Sequence, residues 1–165
     1  MQDYQTQPGH AALREARNSL AGHTYFVTVN CKNREPLLLD TAAVAGCRML
    51  WQLHQQGHLS LCAWVLMPDH MHTLIQLPHG QSLAQTVGRM HSCVAKAANR
   101  AQYRVGKFWQ GAYYDRQIRD ERQLRNTVRY IINNPVKAGL VAQPGYYPFW
   151  NIVNHTLYTQ TLNVS

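Results

Sequence analysis

Apolar positions along the chain alternate between two periods, and each change of period marks an element. The run from His23 to Cys31 (HTYFVTVNC) is rich in β-branched and aromatic residues and predicts a strand. Asp40 or Thr41 can cap a helix that runs to about Gln56, with Gly57 as its stop. Residues 58–67 (HLSLCAWVLM) predict a second strand, Pro68-Asp69 a short break, and His70 to Leu77 (HMHTLIQL) a third, so 58–77 forms a hairpin. Pro78-His79-Gly80 is a turn. Ser82 and Gln85 then fit a capping box before a helix with Leu83, Val87, Met90, Val94 and Ala101 at helical spacing. Residues 112–119 suggest a fourth strand, and 121–134 a helix ended by Asn134-Pro135. From Gln143 the tail carries Pro144, Gly145, Pro148 and aromatics expected to pack back on the domain.

The order strand, helix, hairpin, helix, strand, helix lacks strict βαβ repetition. It predicts an α+β sandwich, an antiparallel sheet with helices packed on it. A length of 165 residues suits one core. Residues 1–20 read as a basic N-terminal arm with Arg14 and Arg17, and 21–165 as a single domain. The start of the chain has no apolar h-region, and no run approaches a membrane span, so a soluble cytoplasmic protein is expected.

Charge narrows the class. Lys and Arg number 16 against 8 Asp and Glu, a formal net charge of +8, which favours a polyanionic partner such as nucleic acid. The four cysteines (Cys31, Cys47, Cys62, Cys93) have no CxxC spacing; reduced core thiols are the simpler reading than a zinc ribbon or redox pair. Arg104, Lys107, Arg116, Arg119, Arg122, Arg125 and Arg129 interleave with Tyr103, Phe108, Trp109, Tyr113 and Tyr114. Cations among stacking platforms suit single-stranded nucleic acid. Arg122, Arg125 and Arg129 fall near one another on one helix, although a solvated face is the better account of any single one of them.

Two constellations carry chemistry. His70 and His72 are i and i+2 in a strand, so their imidazoles project from one face and can chelate a cation. With 9 His in the chain, such a pair also arises by chance, and a third ligand is needed. On the last helix, Leu124, Val128, Ile131 and Ile132 form an apolar stripe. Tyr130 falls at about 240° from Leu124 and Asn134 at about 280°, on a polar face with Gln123 and Thr127. Tyr130 and Asn134 are i and i+4 neighbours, so a phenol can attack beside a carboxamide oxygen that completes a metal site. An ordinary surface Tyr and a helix-terminal Asn fit the same spacing. Tyr113 and Tyr114 are rival nucleophiles, of which a strand can turn only one toward a site on the sheet.

These residues together resemble the REP-associated tyrosine transposases, within the single-tyrosine HUH transposases (IS200-like). The resemblance runs over Ala12-Leu13-Arg14 with Arg17-Asn18-Ser19, and over Gly22 to Thr28. It continues over Trp64 to His72, Phe108 to Arg119, and Tyr130 to Val141. It implies a ferredoxin-like (RRM-like) sandwich, Tyr130 as the catalytic tyrosine, and His70, His72 and Asn134 as ligands of Mg²⁺ or Mn²⁺. Relatives often carry Gln four residues after the tyrosine, where this chain has Asn134. Many also have Phe-His or a similar pair at Tyr113-Tyr114. The resemblance further implies single-stranded DNA with a REP-type hairpin as substrate, a 5′-phosphotyrosine intermediate and a monomer. DNA contacts are expected from Arg14, Arg17, Arg116, Arg119, Arg129 and Lys137. Two other classes compete: a non-catalytic single-strand-binding module on an RRM-like sheet, in which Tyr130 and the histidines are dispensable, and a zinc hydrolase that uses water and forms no covalent adduct.

Overall fold

The computed structural model describes residues 20–153 and 156–157. The expected arm, with Arg14 and Arg17, lies outside the described residues. Five strands, β1 (Thr24–Cys31), β2 (Ser60–Met67), β3 (His70–Gln76), β4 (Trp109–Ile118) and β5 (Trp150–Ile152), form one sheet in the order β4-β1-β3-β2-β5. Every pairing is antiparallel. Helices α1 (Asp40–Gln55) and α2 (Leu83–Ala101) pack together on one face, and α3 (Glu121–Lys137) crosses the other. This is the α+β sandwich expected from the element order, with β5 added at the β2 edge.

Strand alternation sorts the side chains into two cores. Tyr25, Val27 and Val29 of β1, with Met71 and Ile75 of β3, meet Leu50, Leu53, Val87, Met90 and Val94 of the helix pair. Phe26 and Leu74 point the other way, to Val128, Ile131 and Ile132 of α3. In β2 a register shift between Leu61 and Ala63 lets one extra residue into the strand. Trp64 and Leu66 then face α1 and α2, while Ala63, Val65 and Met67 face α3. Burying each such large side chain contributes about 1.5–3 kcal/mol, before the entropy of ordering it.

Several boundaries differ from the sequence expectation. Asp40 does not cap α1; it is the first helical residue, and the N-cap is Leu39 without a side-chain bond. The β4 strand begins three residues earlier than 112, because Trp109 pairs with Cys31. On α2 the buried stripe ends at Ala98, with Ala101 only half-buried. The Ser82–Gln85 capping box forms as expected, Ser82 Oγ accepting from the Gln85 N–H and Gln85 Oε1 from the Ser82 N–H. Helix α3 does not stop at Asn134; it runs through Pro135 to Lys137. The proline forfeits one N–H bond, yet its ring is buried, and the helix closes one turn later. There the Leu140 N–H donates to Pro135 O and the Gly139 N–H to Val136 O, with Gly139 at φ 71. The tail packs back as expected and adds β5, which its short, proline-flanked pattern did not announce. Tyr147 Oη donates to Leu66 O at 2.6 Å. All four cysteines are free.

Candidate active site on the α3 face of the sheet

The β2–β3 turn fixes the histidine pair. Met67 faces His70 across the hairpin, so only Pro68 and Asp69 lie between the strands. The Cys31 N–H donates to Asp69 O and the Leu38 N–H to Pro68 O, which anchors the turn to two neighbouring segments. Beyond it, His70, His72 and Leu74 alternate onto the α3 face. The rings of His70 and His72 are 4.7 Å apart between centroids.

Each imidazole is held at Nδ1. Asp69 Oδ1 lies 2.6 Å from His70 Nδ1, and Asp69 Oδ2 is in turn 3.0 Å from Arg34 Nε. Thr28 Oγ1 on the neighbouring β1 strand lies 2.8 Å from His72 Nδ1. Phe26 stacks on the His72 ring at 5.2 Å. His72 is 5% exposed, and its Nε2 is buried with no hydrogen-bond partner. Burial holds both imidazoles below their ordinary range. For His70 the Asp69 carboxylate and Asn134 oppose the shift, whereas for His72 the neighbouring His70 and Arg34 add to it. Both rings are therefore neutral at pH 7, the form in which a nitrogen lone pair is available.

Helix α3 brings the phenol. Asp120 caps it, its Oδ1 accepting from the Gln123 N–H at 2.7 Å. The apolar stripe seats the helix on the sheet, with Val128, Ile131 and Ile132 buried and Leu124 half-buried. The polar face with Tyr130, Asn134 and Thr127, set away from the stripe on the helical wheel, borders the sheet. Thr127 and Asn134 are buried against the polar end of the sheet. The Tyr130 ring lies 5.3 Å from His72 and 5.8 Å from Phe26, edge-on to both, and is 40% exposed. Asn134, one turn on, reaches the His70 ring. Among the described residues no three His, Cys, Asp or Glu side chains converge as a metal cluster. The donor set is two imidazoles and a carboxamide, with a tyrosine over them.

The basic residues divide. Lys137 Nζ sits 5.0 Å over the Tyr130 ring, and Arg129 and Lys137 line one groove with Tyr130. Arg116 lies over Phe26 at 5.9 Å and donates to Thr127 Oγ1 at 3.2 Å, at the site's open side. Arg119 is not brought to the site; it follows Ile118, which pairs with Thr24 at the far end of β1. Arg125 pairs with Glu121 at 2.8 Å. Of the rival tyrosines, Tyr114 pairs with Thr28 on the site face and is exposed, while Tyr113 turns to His91 beneath the helix pair. Sequence reasoning passed over Thr28, Asp69 and Phe26. Asp69 directly preceding the histidine pair was a usable signal; the partnership of Thr28 depends on strand register and had none.

The chain is similar to a known family and to solved structures. Residues 19–134 match the family model described as transposase IS200 like. A REP-associated tyrosine transposase of Escherichia coli K12 is 31% identical over 139 residues, covering 81% of this chain and 78% of that protein. A putative REP-associated tyrosine transposase of Haemophilus influenzae is 28% identical over 143 residues, 81% of each. The solved structure of a REP-associated tyrosine transposase bound to a REP hairpin superposes with a TM-score of 0.65 at 29% identity. It covers 91% of this chain and 82% of that one. With its histidine pair and tyrosine set on a sheet of this topology, the chain belongs to the IS200-like transposases, in their REP-associated tyrosine branch, and is an enzyme of that class.

Proposed function

We propose that the protein is a metal-dependent single-stranded DNA endonuclease and strand transferase that acts at hairpin DNA through Tyr130. The observation that carries this reading is the buried, unpartnered Nε2 of His72, beside His70 and under the Tyr130 ring. A buried polar atom without a partner costs about 1–3 kcal/mol, a cost that a ligand on that nitrogen removes. With a proton on each Nδ1, shared with Asp69 and Thr28, both Nε2 lone pairs are free for a divalent cation. The Asn134 oxygen is the third protein ligand in this reading, and a mixed nitrogen and oxygen set accepts Mn²⁺ or Mg²⁺. When bound there, such an ion would supply Lewis-acid polarisation of the scissile phosphate and offset charge developing on it.

The chain's own residues do the rest. Tyr130 Oη attacks phosphorus, the P–O3′ bond breaks, the phenolic proton passes to solvent and the departing O3′ takes up a proton. The products are a 5′-phosphotyrosine and a free 3′-OH. The phosphodiester energy is conserved, so rejoining to a second 3′-OH needs no ATP. Phe26 and His72 hold the phenol ring from two sides, and Lys137 and Arg129 place positive charge where the phosphate enters. In this reading Arg14 and Arg17 belong to a DNA-contacting arm over residues 1–20, residues 21–165 are the catalytic domain, and the protein works as a monomer in the cytoplasm. No described helix is long and apolar enough to cross a membrane.

A denaturing gel tests the proposal. Purified protein is mixed with labelled hairpin DNA and Mn²⁺ or Mg²⁺, beside Tyr130→Phe and His70→Ala. A covalent protein–DNA band that requires metal and is lost in both variants is expected. Cleavage without a covalent band indicates water as nucleophile, and binding without cleavage in any protein indicates a non-catalytic module.

A further inference from the structure

The three long described helices, α1, α2 and α3, end the same way, but not with the same residue. In α1 the Gly57 and His58 N–H groups donate back to His54 O and Leu53 O, and in α3 Gly139 and Leu140 repeat the pattern. Both glycines have positive φ, as this closing turn requires. In α2 the Tyr103 N–H donates to Arg100 O and the Arg104 N–H to Asn99 O, the same two bonds. The residue in the left-handed position is Tyr103, at φ 52. An aromatic residue there is strained, because its Cβ crowds the backbone.

Tyr103 makes no contact that offsets this strain, since it is 99% exposed. Its neighbour Val105 is 91% exposed. The tip that carries them is well built. Asn99 Nδ2 donates to Gly106 O at 3.1 Å, Arg104 donates to Asn99 Oδ1 at 3.0 Å, and Gln102 Nε2 donates to Leu37 O at 2.7 Å. Arg100 and Lys107 stand exposed beside it, and no Asp or Glu occurs anywhere from His70 to Tyr114. The Phe108 carbonyl that follows accepts from the Lys32 N–H just past β1. The tip therefore sits at the end of the sheet where β3 begins at His70.

We infer that the 102–107 tip is a second DNA contact, with Tyr103 as a stacking pin for an unpaired or terminal base of the folded strand. Arg100, Arg104 and Lys107 hold the adjoining phosphates. A rigid loop that presents one aromatic ring to solvent among cations matches a base with its phosphates on either side: the ring supplies a π-face, and the cations supply charge. The strain at Tyr103 has a function in this account, since it aims the ring outward before DNA arrives. The inference rests on the proposed DNA substrate but not on the chemistry at Tyr130.

The test is DNA affinity, measured by fluorescence anisotropy on a hairpin with single-stranded flanks, for wild type, Tyr103→Phe, Tyr103→Ala and Tyr103→Gly. Thermal melts of the same proteins accompany it. Loss of the stacking ring is expected to weaken binding about tenfold in the Ala and Gly variants, with Tyr103→Phe near wild type. Tyr103→Gly is expected to melt no lower than wild type, because glycine accepts φ 52 freely. Weaker binding with undiminished stability sets a stacking role apart from a structural one, in which both fall together. If wild type and Tyr103→Ala bind within twofold of each other while wild type still forms its covalent adduct, the pin is wrong and the active-site reading stands. If wild type binds no DNA, both fall.

Discussion

The two faces of the sheet are built from the same strands and differ in what they permit. Under α1 and α2 the strands present Tyr25, Val27, Val29, Met71 and Ile75 to a pair of helices, and the space is closed with apolar side chains. Under α3 one helix covers the β2 and β3 side, and the polar residues Thr28, His72, Thr127 and Asn134 collect where its apolar stripe ends. The first face stabilises the fold by burial. The second gives up part of that stabilisation to hold neutral imidazoles with a free nitrogen beside a half-exposed phenol. A single helix suffices for this because its stripe is narrow: it seats the helix on the sheet and leaves the flank with Tyr130 and Asn134 over the polar end.

The sharpest way to separate the faces is to mutate each and read both activity and stability. Tyr130→Phe removes only the phenolic oxygen, the proposed nucleophile, from a 40% exposed ring. Adduct formation is expected to drop by about a thousandfold or more, with the urea midpoint unchanged. On the other face, Leu50→Ala leaves a cavity among buried neighbours and is expected to cost about 2–5 kcal/mol of stability. The remaining folded protein should cleave at the wild-type rate. If Leu50→Ala lowers the specific rate of the folded fraction as strongly as Tyr130→Phe does, the two faces are not separable and the comparison fails.

Thr28→Val tests how the second face prepares its histidines. The change keeps the shape of the side chain but removes the oxygen 2.8 Å from His72 Nδ1. Loss of such an outer partner is expected to weaken metal affinity ten- to a hundredfold, measured by the metal concentration that half-saturates cleavage. Asp69→Asn should act in the same way through His70 and also release Arg34. Equal metal dependence in wild type and Thr28→Val would remove Thr28 from the site.

The division between faces was only half legible in the sequence. Period-2 alternation placed the strands, and the His70/His72 spacing put both rings on one face, because these are properties of a single segment. The wheel for α3 found its stripe and set Tyr130 and Asn134 on the polar face away from it, but could not show that this face borders the sheet. Which flank of a helix meets the sheet is decided by partners far away in sequence, here β2 and β3. The continuation of α3 past Pro135 escaped for a similar reason: the proline's penalty is local, while its burial is tertiary. Thr28 was invisible because its role depends on the register that sets it opposite His72. The one residue whose oddity needs only helix-end rules is Tyr103, which holds the position that glycine takes at the ends of α1 and α3.

The smallest predicted effect lies on the apolar face, at one of its polar exceptions. His91 on α2 packs against Trp109 and Tyr113, and its Nε2 is buried without a partner. Burial holds its pKa down at about 4, against an ordinary 6.5. Below pH 6.5 the unfolded chain takes up a proton that folded His91 refuses, so the unfolded state gains and stability falls as pH falls toward 4. By pH 5.5 this single group costs about 1.4 kcal/mol. His91→Gln is expected to flatten the decline of the urea midpoint between pH 7 and 5 without abolishing it, since His70 and His72 are also held neutral. It should leave the metal dependence of cleavage as it is, because His91 lies across the sheet from the site. Parallel midpoint curves for the two proteins would show that His91 opens to solvent on acidification, and the helix-pair face would then be less tightly closed than its packing indicates.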